Sequence, residues 1–169
     1  MDVLTPEQRH FNMSQIHPKD TKPELCIRKW LWKNGYRYRL HRKDLPGKPD
    51  IVLPKYRAVI FVHGCFWHKH DCKYGSTPKT NKDFWNKKLS GNVERDKKNV
   101  KMIIELNWRV LIIWECEINK WNSKLEAKIR DFLHGDFIQC KNKSIYDDIP
   151  DEEFKYVAER GEEYHIKND

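Results

Sequence analysis

No apolar run in this chain approaches the ~20 residues that span a bilayer, so a transmembrane helix is not expected. The opening Met1-Asp2-Val3-Leu4-Thr5-Pro6-Glu7 has neither the basic nor the apolar region of a secretory signal, which gives a cytosolic expectation. Internal repeats and low-complexity stretches are absent too. The five cysteines (Cys26, Cys65, Cys72, Cys116, Cys140) are an odd number, which argues against a disulfide framework and for metal binding or plain burial. At 169 residues the chain is too short for two ordinary domains, and 12% aromatic residues exclude general disorder.

What the chain has in excess is positive charge, unevenly spread. Residues 144–169 carry nine acids and three bases, net −6, which leaves 30 bases and 16 acids, net +14, on residues 1–143. A basic body with an acidic tail is the balance of a polyanion binder. Nucleic acid fits better than an anionic membrane, since no helix combines a basic face with a broad apolar one. Charge alone is equally consistent with a solvated surface.

Punctuation divides the chain into an N-terminal arm (1–20), a folded body (21–135) and a polar, acidic C-terminal tail (136–169). Thr5-Pro6-Glu7 starts a short helix reaching Met13. Thr21-Lys22-Pro23-Glu24 reads as a capping box opening a helix through Leu25, Ile27, Trp30 and Leu31, closed by Asn34-Gly35. Tyr36 to Leu40 alternates as a half-buried strand. Ile51-Val52-Leu53 and Arg57 to Val62 form a hairpin through Pro54-Lys55-Tyr56. Residues 82–106 are helical with a break at Ser90-Gly91, Arg109 to Trp114 is a strand buried on both faces, and Ser123 to Glu126 caps a helix ending at His134-Gly135. The class is α/β, a mixed sheet flanked by helices.

The densest chemistry is Cys65-Phe66-Trp67-His68-Lys69-His70-Asp71-Cys72, to which Cys116 is added. Cys65 and Cys116 each lie just past an apolar strand, so parallel neighbouring strands would bring both thiols to one sheet edge. Three thiolates and one imidazole make a closed tetrahedral site for structural Zn²⁺. His70 is the preferred nitrogen ligand, because His63 and His68 flank a second polar site. Independent burial of the cysteines is the alternative, but this segment is too polar to order itself. Cys26 and Cys140 lack ligand-spaced neighbours.

The second site centres on Pro49-Asp50. Across the hairpin, Asp50 can face the Val62–His63 end, and a carboxylate with a backbone carbonyl offers hard oxygens to Mg²⁺. His63 and His68 can act there as general base or acid near neutral pH. Taken alone, Asp50 is more simply a turn acid and Glu24 a capping acid. Glu24 could also orient a metal-bound water. Phe66 and Trp67 could be core residues or, if exposed, a wedge for unstacking bases, which Met13 could join. Arg37, Arg39, Arg42, Lys43, Lys48, Lys87, Lys88, Arg95 and Lys98 are among the bases that could track phosphates.

Four stretches together resemble a known family, the very-short-patch-repair (Vsr-type) mismatch endonucleases of the restriction-endonuclease-like fold. They are Leu45 to Asp50, Val59 to His68 (Val-Ile-Phe-Val-His-Gly-Cys-Phe-Trp-His), Asn92 to Asp96, and Trp108 to Cys116. The resemblance implies that 21–135 is the endonuclease domain of a monomeric, bacterial, cytoplasmic, nucleoid-associated enzyme. It implies nicking of double-stranded DNA 5′ to the T of a T:G mismatch, which starts repair of deaminated 5-methylcytosine, with mismatch-repair proteins as candidate partners. By the same resemblance, Asp50 and the Val62 carbonyl hold catalytic Mg²⁺, and His63 and His68 are essential, His68 as base. Glu24 is a supporting acid. Cys65, His70, Cys72 and Cys116 hold structural Zn²⁺, and Met13, Phe66 and Trp67 form the intercalating wedge on the DNA. Two features depart from the family's pattern: Val62 where a Thr is common, and a histidine run interrupted by Lys69 and Asp71. A double-strand restriction endonuclease and a non-catalytic zinc-stabilised DNA-binding module are the rival readings.

Overall fold

A computed structural model describes residues 19–78 and 80–135, together with 5, 7, 8, 11 and 14. Met13, Cys140, most of the 1–20 arm and the whole 136–169 tail lie outside the described residues. The elements run α1 (Lys22–Lys33), β1 (Arg39–Leu40), β2 (Ile51–Leu53), a 3₁₀ turn (Pro54–Tyr56), β3 (Ala58–His63), α2 (Lys82–Glu105), β4 (Arg109–Trp114), α3 (Glu115–Asn119) and α4 (Ser123–His134). They build a mixed four-stranded sheet in the order β1-β2-β3-β4, antiparallel except for the parallel β3–β4 pair.

Alternation along the strands assigns the two cores. Ile51, Leu53, Ala58, Ile60, Leu111 and Ile113 point to one face, where they bury Ile27 and Leu31 of α1 and Ile129 and Phe132 of α4. Val52, Val59, Phe61, Val110, Ile112 and Trp114 point to the other, against Val100, Ile103 and Ile104 of α2. Because both faces are covered, β3 from Ala58 to Val62 and β4 from Val110 to Trp114 are apolar rather than alternating.

Local chemistry sets the boundaries. Thr21 caps α1 as its side chain accepts the Glu24 N–H at 3.4 Å, and Gly35, at φ +83°, provides the left-handed exit after Asn34. The Tyr36 N–H then bonds the Leu31 carbonyl at 2.9 Å, so Tyr36 closes the helix instead of starting a strand, and only Arg39–Leu40 pairs. No break occurs at Ser90-Gly91. The α2 helix passes straight through, because buried Leu89 and Asn92 anchor the turn on either side and packing outweighs the ~1 kcal/mol propensity penalty of Gly91. The cap of α4 is Asn122, not Ser123: its side chain takes the Lys124 and Leu125 N–H groups, while Glu126 accepts from the Trp121 indole. The short α3 also escapes the periodicity, being one turn directly after β4.

Candidate active site

The parallel β3–β4 register aligns His63 with Trp114, so both strands end at the same sheet edge. Cys65 and Cys116 each sit two residues beyond that pair. A chain of turns from Gly64 to Cys72, held by His68 N–H to Gly64 carbonyl (3.3 Å) and His70 N–H to Cys65 carbonyl (3.0 Å), folds the intervening segment back over the edge.

Among the described residues this brings Cys65, His70, Cys72 and Cys116 together, their ligand atoms all within 4.8 Å of one another. His70 Nδ1 is 3.5 Å from Cys116 Sγ. A tetrahedral Zn²⁺ with bonds of about 2.0–2.3 Å requires ligand–ligand edges of roughly 3.5–3.8 Å, so the donor set fits that ion in type and size. The His70 ring is stacked on Trp114 at 4.1 Å, which fixes its orientation. Burial pushes the Cys65 thiol up to about 12; the Cys116 backbone opposes this, and the Cys72 and Cys116 sulfurs add to it. A cation is what would let such a cluster ionise.

A second group lies beside it. His63 is buried and its ring is stacked face to face on His68, centroids 3.7 Å apart. His68 Nδ1 is in turn 2.5 Å from Asp96 Oδ2, on α2. Burial, and then His68, push His63 well below the usual histidine range, so it is neutral at physiological pH. His63 Nδ1 is buried without a hydrogen-bond partner among the described residues. A cleft of about 390 Å³, lined by His68, His70, Ser90, Glu94 and Trp114, opens the His68 ring to solvent.

Asp50 arrives from the opposite side of β3. The loop Leu45 to Pro49 turns through Gly47 (φ +68°) and Lys48 (φ +50°), and a Cβ at Gly47 would lie 2.8 Å from the Asn99 side chain, so glycine is required there. This delivers Asp50 to the end of β2, where its Oδ2 accepts the Val62 N–H at 2.8 Å. Burial pushes the Asp50 carboxyl up to about 6; the Val62 bond opposes this, and negative Glu24 adds to it. A hydrated Mg²⁺ fits this donor set, because a buried carboxylate held away from its usual charge is what a divalent cation would stabilise.

Glu24 is buried and its carboxylate is fully engaged. Its Oε1 accepts the Thr21 hydroxyl (2.9 Å), and its Oε2 takes the Asp20 N–H (3.2 Å) and Arg28 Nη2 (2.7 Å). His41 stands between it and Asp50, with Nε2 4.0 Å from Glu24 Oε2 and Nδ1 3.9 Å from Asp50 Oδ1. Arg28 bonds Asp20 as well. A single guanidinium thus bridges the two carboxylates of the Asp20–Glu24–His41 group and offsets part of their charge.

Phe66 and Trp67 are half-buried, not isolated. They meet each other edge to face at 5.0 Å and rest against Trp85 of α2 at 5.2 and 6.2 Å, with exposed Phe84 alongside. The sequence reading brought Asp50, Val62, His63, His68 and the four zinc candidates to one edge, as they are found. It missed Asp96, His41, Arg28 and Trp85. Asp96 lay within a family-like stretch, Asn92 to Asp96, and the strand register could have marked His41.

No helix among the described residues is long and apolar enough to cross a membrane. The family model for DNA mismatch endonuclease Vsr matches residues 1–74. A type II nicking enzyme of Xanthomonas oryzae, V.XorIIP, is 47% identical over 132 residues, which span 78% of this chain and 96% of that protein. The type II nicking enzyme V.NmeAIP of Neisseria meningitidis is 49% identical over 117 residues, 69% of this chain and 84% of its own. The DNA mismatch endonuclease Vsr of Escherichia coli is 44% identical over 117 residues, 69% and 75% of the two chains. With this likeness running along almost the whole of a nicking enzyme, the chain belongs to the Vsr family of DNA endonucleases.

Proposed function

We propose that this endonuclease, of restriction-endonuclease-like fold, nicks one strand of duplex DNA 5′ to the T of a T:G mismatch, with Mg²⁺ as its catalytic ion and Zn²⁺ as its structural one. The observation that carries the reading is the meeting of Asp50, Val62, His63 and His68 at a single sheet edge beside the Cys65–His70–Cys72–Cys116 cluster. The nicking mode is supported by the names of the relatives, and the mismatch by that of the Escherichia coli protein.

Asp50 and the Val62 carbonyl would hold the Mg²⁺. In an extended strand the N–H and C=O of one residue leave on the same side, and the Val62 N–H already faces Asp50. When bound, the ion supplies charge neutralisation at the scissile phosphate and acidifies its water. His68 accepts the proton of the attacking water at Nε2, because Asp96 holds the proton on Nδ1. His63, kept neutral, donates a hydrogen bond to a phosphate oxygen. Glu24 supports Asp50 indirectly, by anchoring Arg28, which meets His41 beside Asp50. Phe66 and Trp67, backed by Trp85, part the bases together with Met13; a mispaired step is cheaper to open, which favours mismatched DNA. The enzyme acts as a monomer in the bacterial cytoplasm.

Labelled T:G and matched duplexes, incubated with Mg²⁺ or with chelator, test this. One nick 5′ to the mismatched T, dependent on Mg²⁺ and lost in Asp50→Ala, is expected. A double-strand break, or binding without any cut, overturns it.

A further inference from the structure

The antiparallel register of β1 and β2 pairs Arg39 with Val52 and Leu40 with Ile51. Carried one step further, past the end of both strands, it sets His41 opposite Asp50. On the other flank of β2, the β3 register sets Asp50 level with Phe61, and the Asp50 side chain reaches the next residue, Val62. The carboxylate is thus held between two neighbours and turns one oxygen to each: Oδ2 to the Val62 N–H at 2.8 Å, and Oδ1 to His41 Nδ1 at 3.9 Å. At that distance the second contact is electrostatic rather than a hydrogen bond, and its sign depends on whether Nδ1 carries a proton.

Arg28 decides this. Its guanidinium is buried, anchored on Glu24 and Asp20, and its Nη2 lies 3.0 Å from His41 Nε2. A guanidinium nitrogen only donates. Nε2 must therefore be the lone-pair nitrogen, and the single proton of a neutral imidazole is left on Nδ1, facing Asp50. The reverse tautomer would set two N–H groups against each other at Nε2 and a lone pair against a carboxylate at Nδ1. The backbone of His41 sits at φ +45°, in the left-handed region, and it presents both ring nitrogens to these partners.

We propose that His41 is a positioning residue for the metal-binding carboxylate: Arg28 fixes its imidazole in the Nδ1–H form, and that N–H orients Asp50 Oδ1 opposite the Val62 N–H on Oδ2. The inference rests on the reading of Asp50 as a cation ligand. His41 is not itself a ligand, since its lone pair is committed to Arg28. Its contribution is to keep Asp50 in one rotamer and to favour its ionised form, as outer-shell partners of metal ligands do elsewhere.

Two measurements on the full-length, zinc-loaded protein without DNA test it. Long-range ¹H–¹⁵N correlation at pH 8 should report His41 as neutral, protonated on Nδ1; an Nε2–H pattern overturns the proposal. Mn²⁺ binding, followed by the loss of the free-ion electron paramagnetic resonance signal, should weaken by about tenfold in His41→Ala. His41→Asn, whose amide places an N–H where Nδ1–H stood, should recover to within about twofold of wild type, which a merely structural loss would not allow. Unchanged Mn²⁺ affinity in His41→Ala overturns the proposal, as does failure of the Asn variant to recover. Asp50→Ala separates the two levels of the argument. If it abolishes Mn²⁺ binding while His41→Ala does not weaken it, only the role of His41 falls. If Asp50→Ala binds Mn²⁺ like wild type, the metal site itself is misassigned.

Discussion

His68 Nδ1 lies 2.5 Å from Asp96 Oδ2, a contact that ties the turn after β3 to the middle of α2 across 28 residues of chain. A carboxylate accepting the Nδ1 proton leaves Nε2 as the free lone pair and stabilises the imidazolium formed when that lone pair takes a proton. Asp96→Asn keeps the shape and removes the charge. Single-turnover cleavage of a T:G duplex should slow by ~10²-fold, the lower range for loss of acid–base assistance. DNA affinity and the melting midpoint should stay near wild type. A wild-type cleavage rate would show that the pair is structural.

The contrast between His68 and Asp96 explains how much of the site could be read from the sequence. Histidines 63, 68 and 70 and cysteines 65 and 72 fall in one short run, and a run of that composition between apolar strands announces itself. The two strands are legible from the same pattern, being apolar but for His63 and Arg109; their parallel pairing is a condition of that reading, which the register meets. Asp96 sits among Glu94, Arg95, Lys97 and Lys98 on a helix, where a functional acid is indistinguishable from a solvated one. Arg28 is likewise one base among many until α1 is seen to turn it inward, where it is buried. Trp85 belongs to a helix face that meets Phe66 only after the turns fold back. Local signals encode elements and contiguous motifs; partners supplied by tertiary packing leave no local trace.

Cys116 closes the thiol cluster from the first turn of α3, with its sulfur 3.5 Å from His70 Nδ1. Cys116→Ala should take the bound zinc from one per chain to nearly none and destabilise the fold by more than about 3 kcal/mol. That is well below the ~10–16 kcal/mol seen where zinc organises an entire small domain, because the sheet persists without it. Metal analysis and thermal unfolding check both halves. Zinc retained at wild-type level would remove Cys116 from the ligand set.

Asp50 implies a cost in stability. Burial pushes its carboxyl up to about 6 from 3.8, so without a metal the folded state favours the proton more than the unfolded chain does. Below about pH 4 both states are protonated and nothing is lost. As pH rises to 6 and above, the folded protein must bury a charge, and its stability falls by at most about 3 kcal/mol. Asp50→Asn escapes this penalty. In magnesium-free buffer it should unfold at a higher temperature than wild type at pH 8 and at the same temperature at pH 4, and added Mg²⁺ should narrow the gap. A variant less stable than wild type at pH 8 would contradict this account.

Net charge on residues 1–143 is +14, and exposed Arg39 on β1, with Lys43, Lys48, Lys69, Lys87, Lys88 and Lys98 on loops and α2, lie on the elements that surround the site. If these bases neutralise about six phosphates, the logarithm of the association constant should fall with log salt at a slope of roughly −5. Binding to a matched duplex without Mg²⁺ isolates this term from cleavage and from mismatch opening. Replacing Lys87 and Lys88 together by Gln should lower the slope by about two if both bases contact phosphates, and should weaken matched and mismatched duplexes alike, because phosphate contacts carry no base information. A flat salt response would mean that the positive surface serves solubility, and DNA binding would then have to rest on the aromatic wedge alone.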